Sequence, residues 1–257
     1  SEPGAGSDLA SLRTTAVRDG DEFVVNGQKI WSTLAQEANY LYVLVRTDKQ
    51  VKQQRGISFL LVDMKTPGIT FRTIRNIAGH EEFCQVFFDN VRTHKSNLVG
   101  KPNEGWTIAK GLLTYERLNI GSPRRPLQAF EQLDALARAQ HLFDDPGFVD
   151  RYTQLKMDLN DLSSLYGRFV EKVRQGIPLG PDISMLKIFA TDTYQKLSEL
   201  LLEAGDEYGA FADEITLGGD QIDLMSPFYI SRPGTIYGGS NEIQRNILSK
   251  YVLQLPS

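Results

Sequence analysis

One carboxylate stands among apolar residues in a segment with helical spacing. Glu116 has Leu112 and Leu113 one turn before it and Ile120 one turn after it, so a helix would place its side chain on the apolar, inward-facing stripe. Burial raises the pKa of a carboxylic acid, and a general base works best when its pKa lies near the operating pH. The pattern predicts a general base; the alternative is a structural ion pair with Arg117 or with another helix.

Two further segments have the composition of ligand-binding loops. The opening segment 2–8, Glu-Pro-Gly-Ala-Gly-Ser-Asp, contains two glycines, which let backbone amides approach a ligand closely. An ordinary surface turn is the alternative, and the spacing is not that of a Rossmann loop. Trp31 closes a strand-like run and would either pack in the core or form the wall of a cofactor site, where the hydroxyls of Ser32 and Thr33 suit the edge of a heteroaromatic ring.

The elements that must position these groups are of two kinds, and strands come first. Runs rich in β-branched and aromatic residues, separated by turn residues, occupy 23–25, 40–45, 57–62, 69–74 and 86–88. Strands at such short spacing predict a small antiparallel β-barrel or sandwich. We assign residues 1–100 to this β domain.

Helical periodicity follows in the second part of the chain. Apolar residues recur near every 3.6 positions from Trp106 and again over 148–175, 182–203 and 241–253. Pro123 and Pro126 should break or kink the first of these helices. Four helices predict an antiparallel C-terminal four-helix bundle over residues 101–257, and the fold class is therefore α+β.

Composition limits the function classes. The 257 residues allow one or two domains, and the net charge of −4 disfavours a nucleic-acid-binding surface. No apolar run reaches the roughly 18 residues of a membrane span, and no basic segment followed by an apolar one opens the chain, so we expect a cytoplasmic protein. Cys84 lies in a strand-like run and is predicted to be a buried structural thiol. We predict no metal site.

Several segments together occur in the order and approximate spacing of one enzyme family. They are 1–8, 26–33, 88–92 and 236–245, the last reading Ile-Tyr-Gly-Gly-Ser-Asn-Glu-Ile-Gln-Arg. Over nearly its whole length the chain resembles the acyl-CoA dehydrogenases, which have an N-terminal helical domain, a β domain and a C-terminal four-helix bundle. The chain begins without a Met where the β domain would begin, so we expect that the N-terminal helical domain is absent from it.

The resemblance implies FAD-dependent α,β-dehydrogenation of an acyl-CoA thioester. A base removes the α proton, hydride leaves Cβ for flavin N5, and an electron-transfer flavoprotein reoxidises the flavin. Ser7 would also meet the thioester or pantetheine end of the substrate, and Arg117 would support the base or the substrate. The implied FAD contacts are Ser1, Gly6, Ser7, Trp31, Ser32, Thr33, Gly239, Ser240 and Glu242.

The usual base of the family is missing from its motif. The residue after Tyr237 is normally glutamate and here is Gly238, whose backbone N–H would still donate to the thioester oxygen. The isovaleryl and long-chain types are similar to this sequence, because they carry the base on the first bundle helix in a Glu-Arg pair that matches Glu116-Arg117. The resemblance therefore assigns the base to Glu116 and an oxyanion donor to Gly238.

Two elements that hold a neighbour's FAD in many homotetrameric members are also missing. Region 139–147 lacks an Arg-x-x-Phe-Gly element, and region 202–209 lacks Gln-x-x-Gly-Gly and carries acids, which repel phosphates at close range. We therefore expect a heteromer, such as an α2β2 tetramer with a second dehydrogenase subunit, as in relatives that act on steroid side-chain thioesters. A homo-oligomer that holds FAD through other residues is the alternative.

Three further functions stay open at this point. The chain could be a non-catalytic partner subunit of a heteromeric dehydrogenase, a flavin or nitroalkane oxidase of the same fold, or a nucleic-acid-binding member of the family. An oxidase would favour an Asp base, whereas this chain has Glu116. A nucleic-acid-binding member would need a basic patch, which the net charge of −4 disfavours.

Overall fold

A computed structural model describes residues 1–211 and 214–256 of the chain. It divides into two compact units, Ser1–Leu112 and Leu113–Ser257, here called unit 1 and unit 2. The division between Leu112 and Leu113 falls within the chain segment of the first long helix, α1 (Gly105–Ile120). The domain boundary at residue 100 stays a prediction.

Unit 1 is built on one seven-stranded sheet. Its strands are β1 (Thr15–Asp19), β2 (Glu22–Thr33), β3 (Tyr40–Arg46), β4 (Ile57–Asp63), β5 (Ile69–Ile74), β6 (Phe83–His94) and β7 (Leu98–Val99), in the order β5-β6-β2-β1-β3-β4-β7. Neighbours are antiparallel except β1 and β3. Strands β4 and β6 are not neighbours, yet the Thr93 hydroxyl donates to the Leu61 carbonyl at 2.9 Å. The sheet thus curls back on itself, as the prediction of a barrel-like β domain requires.

Alternating burial along the long strands builds the core of unit 1. On β2 and β6 buried residues alternate with exposed or half-buried ones, which is the period of two that a pleated strand imposes. Val25, Val45, Val62 and Val86 are fully buried in this core. Cys84 is also fully buried, and its thiol lies 2.9 Å from Oε1 of Gln36, which confirms the prediction of a structural thiol.

Unit 2 is a helical bundle with more elements than the sequence predicted. After α1 come α2 (Arg124–Ala139), α3 (Pro146–Arg174), α4 (Ile183–Ala204), the hairpin β8 (Ile215–Leu217) and β9 (Asp220–Ile222), α5 (Met225–Ser231) and α6 (Asn241–Tyr251). The buried apolar faces of α2, α3 and α4 form its core, with Leu133, Leu162 and Leu197 fully buried. No helix among the described residues is long and apolar enough to cross a bilayer.

The prolines after α1 explain the largest difference from the predicted helices. We predicted that Pro123 and Pro126 would break or kink one helix, and the chain breaks there completely: α1 ends at Ile120 and α2 begins at Arg124. Pro126 lies buried in the first turn of α2, where a helix has no need of the missing N–H. The prolines thus end one helix and begin the next, which the sequence analysis did not separate.

Candidate active site

In unit 1, a buried glutamate anchors the opening segment. The Glu2 carboxylate accepts hydrogen bonds from the backbone N–H groups of Arg13 and Thr14 at 2.6 and 2.9 Å, and from Nζ of buried Lys29 at 2.7 Å. Burial by itself would raise the pKa of Glu2, but the Lys29 ammonium and the hydrogen bonds outweigh it and lower the pKa to about 2. The segment is therefore fixed to β2 by an ionised, fully satisfied carboxylate.

This anchor brings the opening segment to the end of β2. The Ser1 carbonyl accepts from the Ile30 amide at 2.9 Å, so Ser1 lies beside the residue that precedes Trp31. Gly6 and Ser7 are exposed, and a Cβ added to Gly6 would meet no atom within 4 Å. The backbone there is open to a ligand, and the FAD contacts of Ser1, Gly6 and Ser7 stay predictions.

Trp31 lies in an irregular part of β2. The pairing with β6 shifts register between Lys29 and Ser32, and Trp31 has a φ of 62°, which is rare for a residue other than glycine. Its side chain is 54% exposed, and among the aromatic rings of the described residues it contacts the edge of Phe83, at 6.1 Å between centroids. The interpretation of Trp31 as a core residue is therefore wrong, because the bulge turns the indole outward. Such backbone strain is common at ligand sites.

In unit 2, the Gly238-Gly239 turn precedes α6. Both glycines have positive φ, 63° and 85°, and a Cβ on Gly238 would overlap Cδ1 of Ile120 in α1. Gln244 of α6 is fully buried, and its Nε2 donates to the carbonyls of Gly238 and Gly239, each at 3.1 Å. A side chain at position 238 would therefore have to displace the end of the Ile120 side chain and adopt a strained backbone conformation, and the carbonyls of the turn are held in place from the helix.

The residues that follow this turn cap α6. Ser240 is the N-cap, and its hydroxyl accepts from the Ile243 amide at 3.4 Å. Glu242 is exposed, and hydrogen bonds from its own backbone N–H and from Ser240 lower the pKa of its carboxyl group. Its carboxylate is thus already engaged at the helix N-terminus, where negative charge is stabilised. The predicted FAD contacts of Ser240 and Glu242 stay predictions.

Glu116 lies on α1 one turn before Ile120, but it is exposed rather than buried as predicted. The apolar stripe around Glu116 is only partly buried. Leu112 is 42% exposed, and among the described residues of α1 the buried ones are Gly105 and Ala109. Partial desolvation still raises the pKa of Glu116, against the opposing attraction of Arg117. Burial was overestimated, while the predicted direction of the pKa shift is confirmed.

The charges next to Glu116 are incompletely paired. Glu116 takes part in no salt bridge or hydrogen bond among the described residues. Arg117 is half-buried and its Nε has no hydrogen-bond partner within the described chain; burial lowers its pKa, which the Glu116 carboxylate partly offsets. The alternative of a structural ion pair therefore has no direct contact to support it.

The two regions that lack the family's subunit-bridging elements are used within unit 2. In region 139–147, Phe143 packs edge-on against Phe148 and Tyr152, and Asp145 caps α3 by accepting from the amides of Gly147 and Phe148. In region 202–209, Glu203 pairs with Arg151 of α3 at 2.6 Å. Their polar and aromatic groups thus serve packing and capping inside this chain.

Sequence analysis missed three pairs in these sites. They are Glu2 with Lys29, Gly238 with Ile120, and Lys187 with Asn241, and each joins residues far apart in the chain. The only signal was a charged residue in an otherwise apolar run, as at Lys187 between Leu186 and Ile188. Within residues 1–211 and 214–256, no group of His, Cys, Asp and Glu could hold a metal ion.

Two family models match most of the chain. The model of the acyl-CoA dehydrogenase middle domain matches residues 1–91, and that of the acyl-CoA dehydrogenase C-terminal domain matches residues 103–253. The chain belongs to the acyl-CoA dehydrogenase family. Its homologues in this family are FAD-dependent flavoproteins and oxidoreductases. The family resemblance and the α+β fold class that the sequence predicts are confirmed.

Similar proteins include a curated relative and two solved complexes. Acyl-CoA dehydrogenase IpdE1 of Mycobacterium tuberculosis is 39% identical over 259 residues, which cover 100% of this chain and 66% of the relative. The Tcur3481-Tcur3483 steroid ACAD is 28% identical with a TM-score of 0.91, over 100% of this chain and 67% of that one. The ChsE4-ChsE5 complex of Mycobacterium tuberculosis is 30% identical with a TM-score of 0.86, over 100% and 68%. This acyl-CoA dehydrogenase chain thus spans about two thirds of its relatives' length.

The groups present in each unit fit the flavin of the family. Unit 1 offers an exposed indole next to the hydroxyls of Ser32 and Thr33. Unit 2 offers a turn without side chains, followed by the N-terminus of α6, where Ser240 is the cap. An aromatic face and hydroxyl groups are stacking and hydrogen-bonding groups that suit an isoalloxazine ring and its polar edge.

Proposed function

We propose that this chain takes part in the FAD-dependent α,β-dehydrogenation of an acyl-CoA thioester, with Glu116 as the general base. The observation that carries this proposal is the contact of Gly238 with Ile120. The space where the family's usual glutamate would begin is filled by a residue that lies one turn from Glu116 on the same helix. One turn before Ile120, Glu116 offers an incompletely paired carboxylate with a raised pKa, as a general base requires.

The residues of unit 2 divide the work between a base and a donor. Glu116 takes the α proton and becomes a neutral acid, while the backbone N–H of Gly238 donates to the thioester oxygen as negative charge develops there. Arg117 provides a positive charge beside the base, which lowers the cost of its ionised form before the reaction. FAD, when bound, supplies the acceptor for the hydride that leaves Cβ.

Unit 1 is proposed to supply cofactor and substrate contacts. Trp31 with Ser32 and Thr33 would bind the flavin, and the open backbone at Gly6 and Ser7 would meet the flavin and the pantetheine end of the substrate. The Glu2–Lys29 pair keeps both segments in place. We propose an electron-transfer flavoprotein as the acceptor of the electrons.

The test uses FAD-loaded protein, produced together with a second dehydrogenase subunit if this chain alone retains no FAD, and mixes it anaerobically with butyryl-CoA, octanoyl-CoA and the CoA thioester of a steroid side chain. Loss of the oxidised flavin absorbance, together with a product that is two hydrogens lighter than the substrate, is expected with at least one thioester. Flavin that stays oxidised with all three would contradict the proposal. Reduction by a nitroalkane with oxygen uptake, but by no thioester, would favour the oxidase instead.

We further propose that the functional assembly is a heteromer. Two solved relatives, the ChsE4-ChsE5 complex and the Tcur3481-Tcur3483 steroid ACAD, each combine two different proteins. Regions 139–147 and 202–209 lack the family's elements for a neighbouring FAD and are engaged in packing and capping within unit 2. A second dehydrogenase subunit would supply the missing contacts, and a steroid side-chain thioester is the substrate to test first.

Flavin stoichiometry separates the two assemblies. Produced together with its partner subunit, the protein should contain about one FAD for every two dehydrogenase protomers, and this chain alone should retain little FAD. One FAD per protomer in an oligomer of this chain alone would show that it holds FAD without a partner. Light scattering with absorbance detection measures both quantities in the same sample.

A further inference from the structure

A fully buried lysine lies behind the Gly238 turn. Lys187 of α4 has no exposed surface, and its Nζ donates to Oδ1 of Asn241 at 2.7 Å. Asn241 is the first residue of α6, directly after the Ser240 cap. The ammonium thus contacts a neutral amide, although buried charges are usually paired with an opposite charge. A hydrophobic residue would fill this position at a lower desolvation cost.

The ammonium fixes which way the Asn241 amide points. An ammonium only donates, so the amide oxygen must face Lys187 and the amide nitrogen must face the other side. That nitrogen donates to Oδ1 of Asp192 at 2.8 Å and to Thr191 at 3.1 Å. Asp192 in turn pairs with Arg245 of α6 at 3.3 Å. The start of α6 is therefore fastened to α4 in one orientation.

The same short segment is held from its other side by Gln244, which donates to the carbonyls of Gly238 and Gly239. Gly238, Gly239 and Ser240 lie between these two amide side chains. These contacts fix the chain after the Gly238 N–H, and the Tyr237 amide, which donates to the Pro233 carbonyl at 3.0 Å, fixes the chain before it. The peptide that carries the Gly238 N–H therefore has little freedom to rotate. Donors aimed in advance at a developing charge are what stabilises an oxyanion.

We propose that Lys187 is a positioning residue of the dehydrogenation, which acts through Asn241 to hold the Gly238 N–H in its donating orientation. This inference rests on the proposed role of Gly238 as oxyanion donor. Burial lowers the pKa of Lys187 to about 8, against the attraction of Asp192 on α4 and Glu242 on α6 and with the repulsion of Arg117 on α1 and Arg245 on α6. A costly buried charge kept behind a turn is consistent with a task other than stability.

Hydrogen exchange of the FAD-loaded protein without substrate tests the positioning step. Lys187→Met should speed exchange of the amides at 238–243 by about tenfold or more, because a hydrogen bond to a charged group is lost. Exchange along α3 should stay as in the wild type. The matched control is Lys172→Met, which removes a lysine that pairs with Asp182 at 2.8 Å and should leave 238–243 unchanged.

A double variant separates positioning through Asn241 from a general loss of stability. Asn241→Leu removes the acceptor of Lys187 together with the donor to Asp192 and Thr191, so it should speed exchange at 238–243 by itself. Because Lys187 acts through Asn241, adding Lys187→Met to Asn241→Leu should speed that exchange no further, whereas a purely structural lysine would give two independent effects that multiply. Wild-type exchange at 238–243 in both single variants, or a loss of protection spread evenly over the bundle, would overturn the proposal.

Steady-state turnover of Lys187→Met then tests whether the orientation of the Gly238 turn affects the reaction. With a thioester that reduces the wild-type flavin, Lys187→Met should lower kcat by about tenfold or more and change KM little, since the donor acts mainly on the transition state. An equal kcat, or a rise in KM alone, would contradict the positioning role. A wild type that no thioester reduces would refute the proposed function, while the exchange results would still decide whether Lys187 holds the turn.

Discussion

The two units bury one lysine each in very different company. In unit 1, Lys29 meets the Glu2 carboxylate, and two backbone amides complete the shell of that carboxylate. In unit 2, the hydrogen-bond partner of Lys187 among the described residues is the neutral amide of Asn241, and Glu116 and Arg117 are also incompletely paired there. A complete ion pair fixes a segment and adds stability. Charges left without full partners cost stability, and such charges gather where chemistry is done.

The largest effect that we expect is the loss of turnover when Glu116 of unit 2 is replaced. Glu116→Gln keeps the shape of the side chain but cannot accept the α proton, so kcat should fall by about 10²- to 10⁴-fold. Stopped-flow reduction of the bound flavin by a thioester measures this change, and flavin content should equal that of the wild type. Glu171→Gln on α3, an exposed glutamate, is the control. Near-normal reduction by Glu116→Gln would remove Glu116 as the base.

In unit 1, the largest effect should be on stability. Glu2→Gln leaves the Lys29 ammonium buried without its counter-charge, and we expect a loss of about 3–5 kcal/mol in the free energy of unfolding. Urea unfolding followed by fluorescence measures it. Asp21→Asn, which breaks the exposed pair with Lys95, should change stability by less than about 1 kcal/mol. Equal effects of the two variants would mean that burial of the Glu2–Lys29 pair adds nothing.

The free energy of unfolding should also depend on pH through the Glu2–Lys29 pair. The pKa of Glu2 is lowered from its ordinary 4.5 to about 2 in the folded state, so the stability that it contributes is present above pH 4.5. That contribution, about 3 kcal/mol, should be lost as the pH falls from 4.5 toward 2. Urea midpoints along this pH range measure it. The corresponding slope should be much smaller in Glu2→Gln, and identical slopes would contradict the assignment.

A smaller effect on stability should distinguish the backbone strain of a positive φ at Gly238 from the overlap of an added side chain with Ile120. Gly238→Ala adds a methyl group that overlaps Ile120 at a positive φ, whereas Gly219→Ala in the β8–β9 turn has a φ of 94° and open space. The first should be less stable than the second by about 1–3 kcal/mol, the cost of overpacking. Ile120→Ala combined with Gly238→Ala should recover most of that difference in thermal unfolding. No recovery would mean that Ile120 does not exclude a side chain there.

The smallest effect that we expect is on the free energy of unfolding, where ionised Glu116 in unit 2 should lower stability and ionised Glu2 in unit 1 should raise it. Because the pKa of Glu116 is raised in the folded state, its ionised form costs stability at neutral pH. Glu116→Gln should therefore be slightly more stable than the wild type at pH 7, within about 0.5 kcal/mol because the side chain is exposed. Calorimetry at pH 7 and pH 4 should show the gain only at pH 7. A clear loss of stability would make Glu116 a structural residue.

Much of the fold could be predicted because it follows from local periodicity. Alternation along β2 and β6 and the 3.6-residue period of α3 and α4 gave the right kinds of element in the right order. Helix α2 was not separated from α1, because its own start depends on a proline that the first turn of a helix tolerates. The short hairpin β8–β9 and α5 have too few residues for a period to be visible.

The candidate site could be predicted only as a set of residue types. A glycine after Tyr237 and a Glu-Arg pair in a helical segment are visible in the sequence, as is the family to which they lead. The exposure of Glu116 was predicted wrongly, because helical spacing tells which residues share a face and does not tell what covers that face. For the same reason the sequence does not distinguish a core position from a ligand site for Trp31, since the bulge that turns it outward depends on the pairing with β6.

By itself, the sequence determined the two kinds of unit, the family and the absence of a side chain at position 238. Only the tertiary structure decided that Ile120 fills the space beside Gly238, that Glu2 is the partner of Lys29, and that Lys187 fastens Asn241. The physical reason is range. Backbone periodicity and turn chemistry act over a few residues, whereas each of these contacts joins segments that meet only when the chain is packed.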